Sequence, residues 1–130
     1  MTQDVVIFDK LIITPLIKAQ KTFEAALREA KSELERDGAI QRFEYTYELV
    51  WKTLKKVLSF KGIEANSPRD VFREAARQGL IDDPGIWFIF IKQRNLTVHS
   101  YNQDCAQEIF SYLPLFEKEL KKVVDIITKL

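Results

Sequence analysis

The sequence predicts an all-α fold: an antiparallel up-and-down four-helix bundle with an additional short helix. Three features predict it. Apolar residues recur at steps of three and four over long stretches, the period of a helix with one buried face. Glycine and proline are scarce, four of each in 130 residues, and they stand mostly between the periodic stretches, as helix punctuation does. Hydrophobic residues make up 46% of the chain, enough for one core. The length suits one domain over residues 1–130, of which 1–13 form a short N-terminal arm. The shortage of turn glycines argues against a barrel or sandwich of many short strands.

Thr14-Pro15 can open the first helix, since Pro tolerates the first helical position and Thr can cap it. Leu16, Ala19, Phe23, Leu27, Ala30 and Leu34 then trace one buried stripe, and Asp37-Gly38 closes it. The second helix runs from about Ile40 to Lys61, with Gly62 as its stop. Phe43, Tyr47, Val50, Leu54, Val57 and Lys61 form its main face, Trp51 and Leu58 widen it, and Tyr45 and Leu49 add a flank. A stripe this wide suggests more than one neighbour, including a second subunit. Glu44, Glu48, Lys52 and Lys56 make a row at spacing four, which reads as a solvated charge ladder rather than as an acid–base pair.

Ser67-Pro68-Arg69-Asp70 starts a short third helix that ends near Gly79, and Asp83-Pro84 starts the fourth. Ile86 to Ile91 is apolar all round and belongs in the middle of the protein or in an interface. Helix is preferred over strand there, because a lone strand has nothing to pair with. Asp104 can cap the last helix, whose seam is Ile109, Leu113, Phe116, Leu120, Val123, Ile127 and Leu130. Pro114 falls inside this pattern and is expected to kink the helix rather than end it. Val5 to Phe8 is a short apolar arm of unassigned conformation.

Composition excludes several function classes. A formal net charge of +1 gives no bulk attraction to nucleic acid or membrane. One Cys and one His leave no internal disulfide and no transition-metal cluster within a single chain, and they fit a reducing, cytoplasmic setting. No segment approaches the roughly 18 apolar residues of a membrane span. The glycines stand alone, so no phosphate-cradling loop exists and no cofactor is expected. Ser100 beside His99 is not a triad, since adjacent residues do not normally align hydroxyl and base. Cys105 reads as an ordinary helix residue.

One polar cluster does not fit the bundle pattern: Lys92 to Asn102, directly after the most apolar stretch. Asn95 and His99, four apart, share a helical face that Arg94 borders. Arg94 and His99 are about 140° apart on an ideal helix. They converge on one ligand only if the helix ends there or a second copy contributes. Arg offers a permanent charge and a fork suited to phosphate, and His can exchange a proton near neutral pH. These are the minimum for metal-independent RNA cleavage. The plainer alternative is a helix-end His and an Arg held in a structural ion pair. Charge by segment suits the first reading: residues 40–61 carry five basic and two acidic groups, and 84–103 carry two basic and none acidic. Near-neutrality elsewhere then leaves a local positive cleft.

Arg94-Asn95-Leu96-Thr97-Val98-His99 resembles the Arg-x4-His signature of the HEPN superfamily, in which a polar residue commonly follows the Arg. Gln41 to Lys52, Pro68 to Ala75 and Ile109 to Leu120 are similar to the nucleotidyltransferase substrate-binding branch, and the likeness extends over about residues 10–130. The resemblance implies a homodimer with Arg94, Asn95 and His99 of both copies lining one cleft. It implies an endoribonuclease toxin acting on RNA, neutralised by a minimal nucleotidyltransferase antitoxin. The extended form Arg-x4-His-x-Tyr ends at Tyr101, and the resemblance implies adenylylation of that residue by the partner. The alternatives are a helix-end aromatic packed on the bundle for Tyr101, and a non-catalytic partner subunit that binds nucleotide or presents substrate for the chain.

Overall fold

The computed structural model describes residues 3–130. Met1 and Thr2, part of the expected arm, lie outside the described residues. In chain order the elements are β1 (Val6–Ile7), β2 (Leu11–Ile12), α1 (Thr14–Glu29), α2 (Glu33–Phe60), α3 (Pro68–Arg77), α4 (Pro84–Leu96), a 3-10 turn (Thr97–His99) and α5 (Gln103–Ile127). The fold is mostly helical, with five α-helices and one small hairpin among the described residues.

The arm is that hairpin. Val6 pairs with Ile12 and Ile7 with Leu11, antiparallel. Phe8 and Asp9 take left-handed backbone angles, φ 52° and 60°, as a tight hairpin turn requires. Two strands alone are marginal in water. Here Ile7 and Ile13 are buried in the core and the Phe8 ring stacks on Phe60 at 5.1 Å, which anchors the ribbon to the end of α2.

The first helix boundary differs from expectation. Asp37-Gly38 does not close a helix; it lies inside α2, and the break falls at residues 30–32. The physical reason is a capping box: the Glu35 N–H donates to Ser32 Oγ at 3.1 Å, and the Ser32 N–H donates to Glu35 Oε1 at 3.0 Å. Gly38 costs α2 little packing, since a Cβ there would meet nothing within 4 Å. The shift moves Leu34 out of the expected buried stripe to 83% exposure, while Leu16, Ala19 and Phe23 are buried as expected. Ser32→Ala is expected to destabilise the protein by about 1 kcal/mol in urea unfolding. Backbone N–H donation from Lys31, then the Ser32 hydroxyl, holds the Glu35 carboxyl below the ordinary range. Its contribution to stability is therefore present above the ordinary glutamate pKa and is lost as pH falls through the lowered one.

Two helix stops are as expected. Gly62 and Gly79 follow α2 and α3 with φ 78° and 75°. The next N–H in each case, of Ile63 or Leu80, donates back to the carbonyl of Leu58 or Ala75 at 2.9 Å. Lys61 is accordingly a cap residue and exposed, not part of the buried face. Asp83 caps α4 by accepting from the Gly85 N–H at 2.8 Å. The α5 cap is Asn102 rather than Asp104: its Oδ1 accepts from the Cys105 N–H at 3.1 Å, and Asp104 sits in the first turn.

One continuous core joins the elements. Phe43, Tyr47, Val50, Leu54, Val57 and Leu58 of α2 are buried against α1, α3 and α5. The α5 seam is buried from Ile109 through Ile127, with Leu130 left 37% exposed, and the helix continues through Pro114. The apolar run 86–91 is helical, yet only Trp87 and Phe90 are fully buried, and Ile89 is 38% exposed. Phe116 of α5 is the hub of the aromatic core. Phe23 (α1), Phe43 (α2) and Phe90 (α4) all meet it edge-on, at centroid distances of 4.8–5.2 Å.

Candidate functional site at the end of α4

Arg94 occupies the last turn of α4, where its side chain reaches back across α2. Its Nε donates to Glu48 Oε1 at 3.2 Å, its Nη2 lies 3.5 Å from Glu44 Oε1, and its Nη1 donates to Thr97 Oγ1 at 3.1 Å. The Thr97 hydroxyl in turn donates to the Arg94 carbonyl oxygen at 2.7 Å. Glu48 is itself fixed: its Oε2 accepts from the Trp51 indole N–H at 2.9 Å and lies 3.9 Å from Lys52 Nζ. The row Glu44, Glu48, Lys52 is thus not only a solvated ladder. The expected Glu48–Lys52 pair exists, but both carboxylates also hold Arg94. A solitary guanidinium on a half-buried helix face needs such partners. That demand was the signal in the sequence, although two helices far apart in the chain had to be matched to read it.

A guanidinium carries five N–H donors. With three nitrogens engaged once each, two donors on Nη1 and Nη2 remain for a ligand. Arg94 borders an open groove of about 360 Å³ between α2, the start of α3 and α4, lined also by Tyr47, Glu48, Trp51, Ser67, Pro68, Arg69, Ile91 and Asn95. Burial, then the neighbouring Glu48 carboxylate, pushes the Tyr47 phenol well above its ordinary range.

The structure brings Arg94 and Asn95 to one groove but does not bring His99 to it. The α-helix does end at Leu96, as convergence required, and His99 closes the 3-10 turn. Its imidazole is exposed and faces the Tyr101 ring, centroids 6.3 Å apart and planes at 70°. Tyr101 is 83% exposed and does not pack on the helices, contrary to the helix-end alternative. The turn beneath both is held by the backbone: Ser100 N–H to the Thr97 carbonyl at 3.1 Å and Asn102 N–H to the His99 carbonyl at 3.0 Å. Cys105 is half-buried, with Sγ 3.7 Å from the Leu96 carbonyl oxygen, in keeping with an ordinary helix residue. Among the described residues no group of three or more His, Cys, Asp or Glu converges to hold a metal ion. No helix among them is long and apolar enough to cross a membrane.

The chain belongs to the family described as nucleotidyltransferase substrate binding protein like, which it matches over residues 12–129. It is 37% identical over 84 residues to a protein of Haemophilus influenzae named "Probable ribonuclease HepT", a match covering 61% of this chain and 58% of that protein. The chain therefore spans rather over half the length of that curated relative. A crystal structure from Thermus thermophilus superposes with a TM-score of 0.81 at 38% identity, covering 86% of this chain and 98% of the other. HI0074 from Haemophilus influenzae, described as the fold of a substrate binding domain of a nucleotidyltransferase, gives 0.81 at 28% identity, covering 87% and 96%.

Proposed function

We propose that this chain is a HEPN-type endoribonuclease subunit that works as a homodimer without a metal ion. A cognate minimal nucleotidyltransferase acts as its antitoxin and adenylylates Tyr101. In this reading the helices form one antiparallel up-and-down bundle domain, and the protein acts in the cytoplasm. The observation that carries it is the fixed Arg94 guanidinium, with donors to spare, beside Asn95 and one turn from a solvent-facing His99. Because His99 does not line the Arg94 groove within one chain, the complete site draws on two copies. Ile89 and Val98, 38% and 67% exposed on α4 and the turn after it, supply apolar surface for that contact.

The chemistry is an in-line transfer at phosphorus. A ribose 2′-hydroxyl loses its proton to an imidazole, its oxygen forms the new P–O bond, and the bond to the 5′-oxygen breaks. The leaving oxygen takes a proton from an imidazolium, giving a 2′,3′-cyclic phosphate and a 5′-hydroxyl end. Arg94 stabilises the charge on the phosphoryl oxygens. Adenylylation at Tyr101 adds bulk and a phosphodiester charge beside this site, which blocks and repels RNA.

Purified protein is expected to cleave single-stranded RNA, and Arg94→Ala and His99→Ala to lose that cleavage. Equal behaviour of wild type and both variants overturns the ribonuclease assignment. Incubation with the nucleotidyltransferase and ATP is expected to raise the mass of the Tyr101 peptide by one adenylyl group; an unchanged mass overturns the modification. A second reading, a non-catalytic subunit that presents substrate to the nucleotidyltransferase, is favoured by the separation of His99 from the groove. It predicts nucleotide binding with no cleavage by any form of the protein.

A further inference from the structure

The groove beside Arg94 is also lined by a second arginine that the proposed chemistry does not use. This is Arg69, in the first turn of α3. Its guanidinium carbon lies 4.4 Å above the centroid of the Phe88 ring. Stacking occupies the face of a guanidinium and leaves its in-plane N–H donors free. Among the described residues Arg69 makes no ion pair, because its neighbour Asp70 pairs with Arg73 instead. The aromatic ring thus restrains a cation without neutralising it. Trp51 forms an apolar wall of the same groove, and its indole is held by the N–H bond to Glu48. Glu44 and Glu48 both pair with Arg94, so of the two arginines lining the groove Arg69 is the one without a carboxylate partner among the described residues.

We propose that this groove is a nucleotide subsite for single-stranded RNA, with Arg69 binding the phosphodiester next to the one at Arg94 and Trp51 packing against its base. The proposal rests on the ribonuclease reading and adds to it a binding determinant outside the Arg-x4-His segment. A fixed cation beside a flat apolar wall is the arrangement that takes a single-stranded nucleotide without reading its sequence. The clamped geometry limits the ordering that binding demands of the protein.

The test measures binding of a labelled single-stranded RNA oligonucleotide, and separately of ATP, to His99→Ala protein across a range of salt. Trp87 is fully buried, so quenching of the indole emission on binding reports on Trp51. Arg69→Gln is expected to weaken RNA binding about tenfold and to reduce the salt slope by about 0.7, the share of one single-strand phosphate contact. Trp51→Leu is expected to weaken it about tenfold and to abolish the quenching, whereas Trp51→Phe, which keeps a ring, retains the binding. If Arg94→Gln weakens RNA binding and Arg69→Gln does not, the subsite is overturned and the ribonuclease reading stands. Binding of ATP but not of RNA overturns it in favour of the substrate-presenting subunit. A parent protein that binds neither overturns both the subsite and the ribonuclease reading.

Discussion

Arg94→Ala is expected to lower RNA cleavage by about 10²–10³-fold, the range seen when one preorganised charge-stabilising donor is removed. The structure lets this loss be separated from unfolding. The Arg94 side chain is 24% exposed and pairs with partly exposed carboxylates, so deleting it costs about 1–2 kcal/mol of stability. Glu48 keeps its bond from the Trp51 indole. A domain stable by about 5 kcal/mol or more stays folded after such a loss, and urea unfolding checks that it does. Arg94→Lys is the sharper variant. It keeps the charge but cannot reach Glu48, Glu44 and Thr97 at once, so the charge is no longer fixed. Cleavage by Arg94→Lys close to that of wild type would show that charge alone suffices and that the clamp has no catalytic part.

Phe116→Ala is expected to cost about 3–5 kcal/mol in urea unfolding, the largest stability effect of any single substitution considered. The residue is fully buried on α5 and its ring meets Phe23, Phe43 and Phe90, with Trp87 at 5.9 Å. Removing it opens one cavity shared by α1, α2, α4 and α5, which four rigid helices cannot close by local collapse. Phe116→Leu, which leaves most of the volume filled, is expected to cost less than half as much. A loss near 1 kcal/mol for the alanine variant would show that the helices repack around the gap.

How much of this was legible in the sequence follows from which interactions are local. The starts of α3 and α4, the glycine stops after α2 and α3, and the α5 seam depend on residues a few positions apart. They read correctly. The break between α1 and α2 is local too, but the signals competed: Asp37-Gly38 looks like a stop, and Ser32-Glu33-Leu34-Glu35 is a capping box. The box prevails because it satisfies two helix-end donors, while Gly38 in open space costs only conformational entropy. The hairpin was not legible, since its two-residue strands are held by Ile7, Ile13 and the Phe8–Phe60 stack rather than by pattern. For the candidate site, spacing put Asn95 and His99 on one helical face bordered by Arg94, whereas Arg94 and Asn95 line one groove and His99 lies outside it, beyond the end of α4. The clamp was not legible, because Glu44 and Glu48 lie 46 to 50 positions away and bear the period of a surface ladder.

The turn that carries Tyr101 stands between two helices whose caps are closed by Thr97, Asn102 and the backbone, and the phenol touches little of the core. A group carried on that oxygen displaces no packed atom and is expected to change the free energy of unfolding little. Proteases and chaperones, which sample the unfolded fraction, meet both forms alike. On the proposed reading, control at Tyr101 therefore acts on what the folded protein binds rather than on its lifetime in the cell.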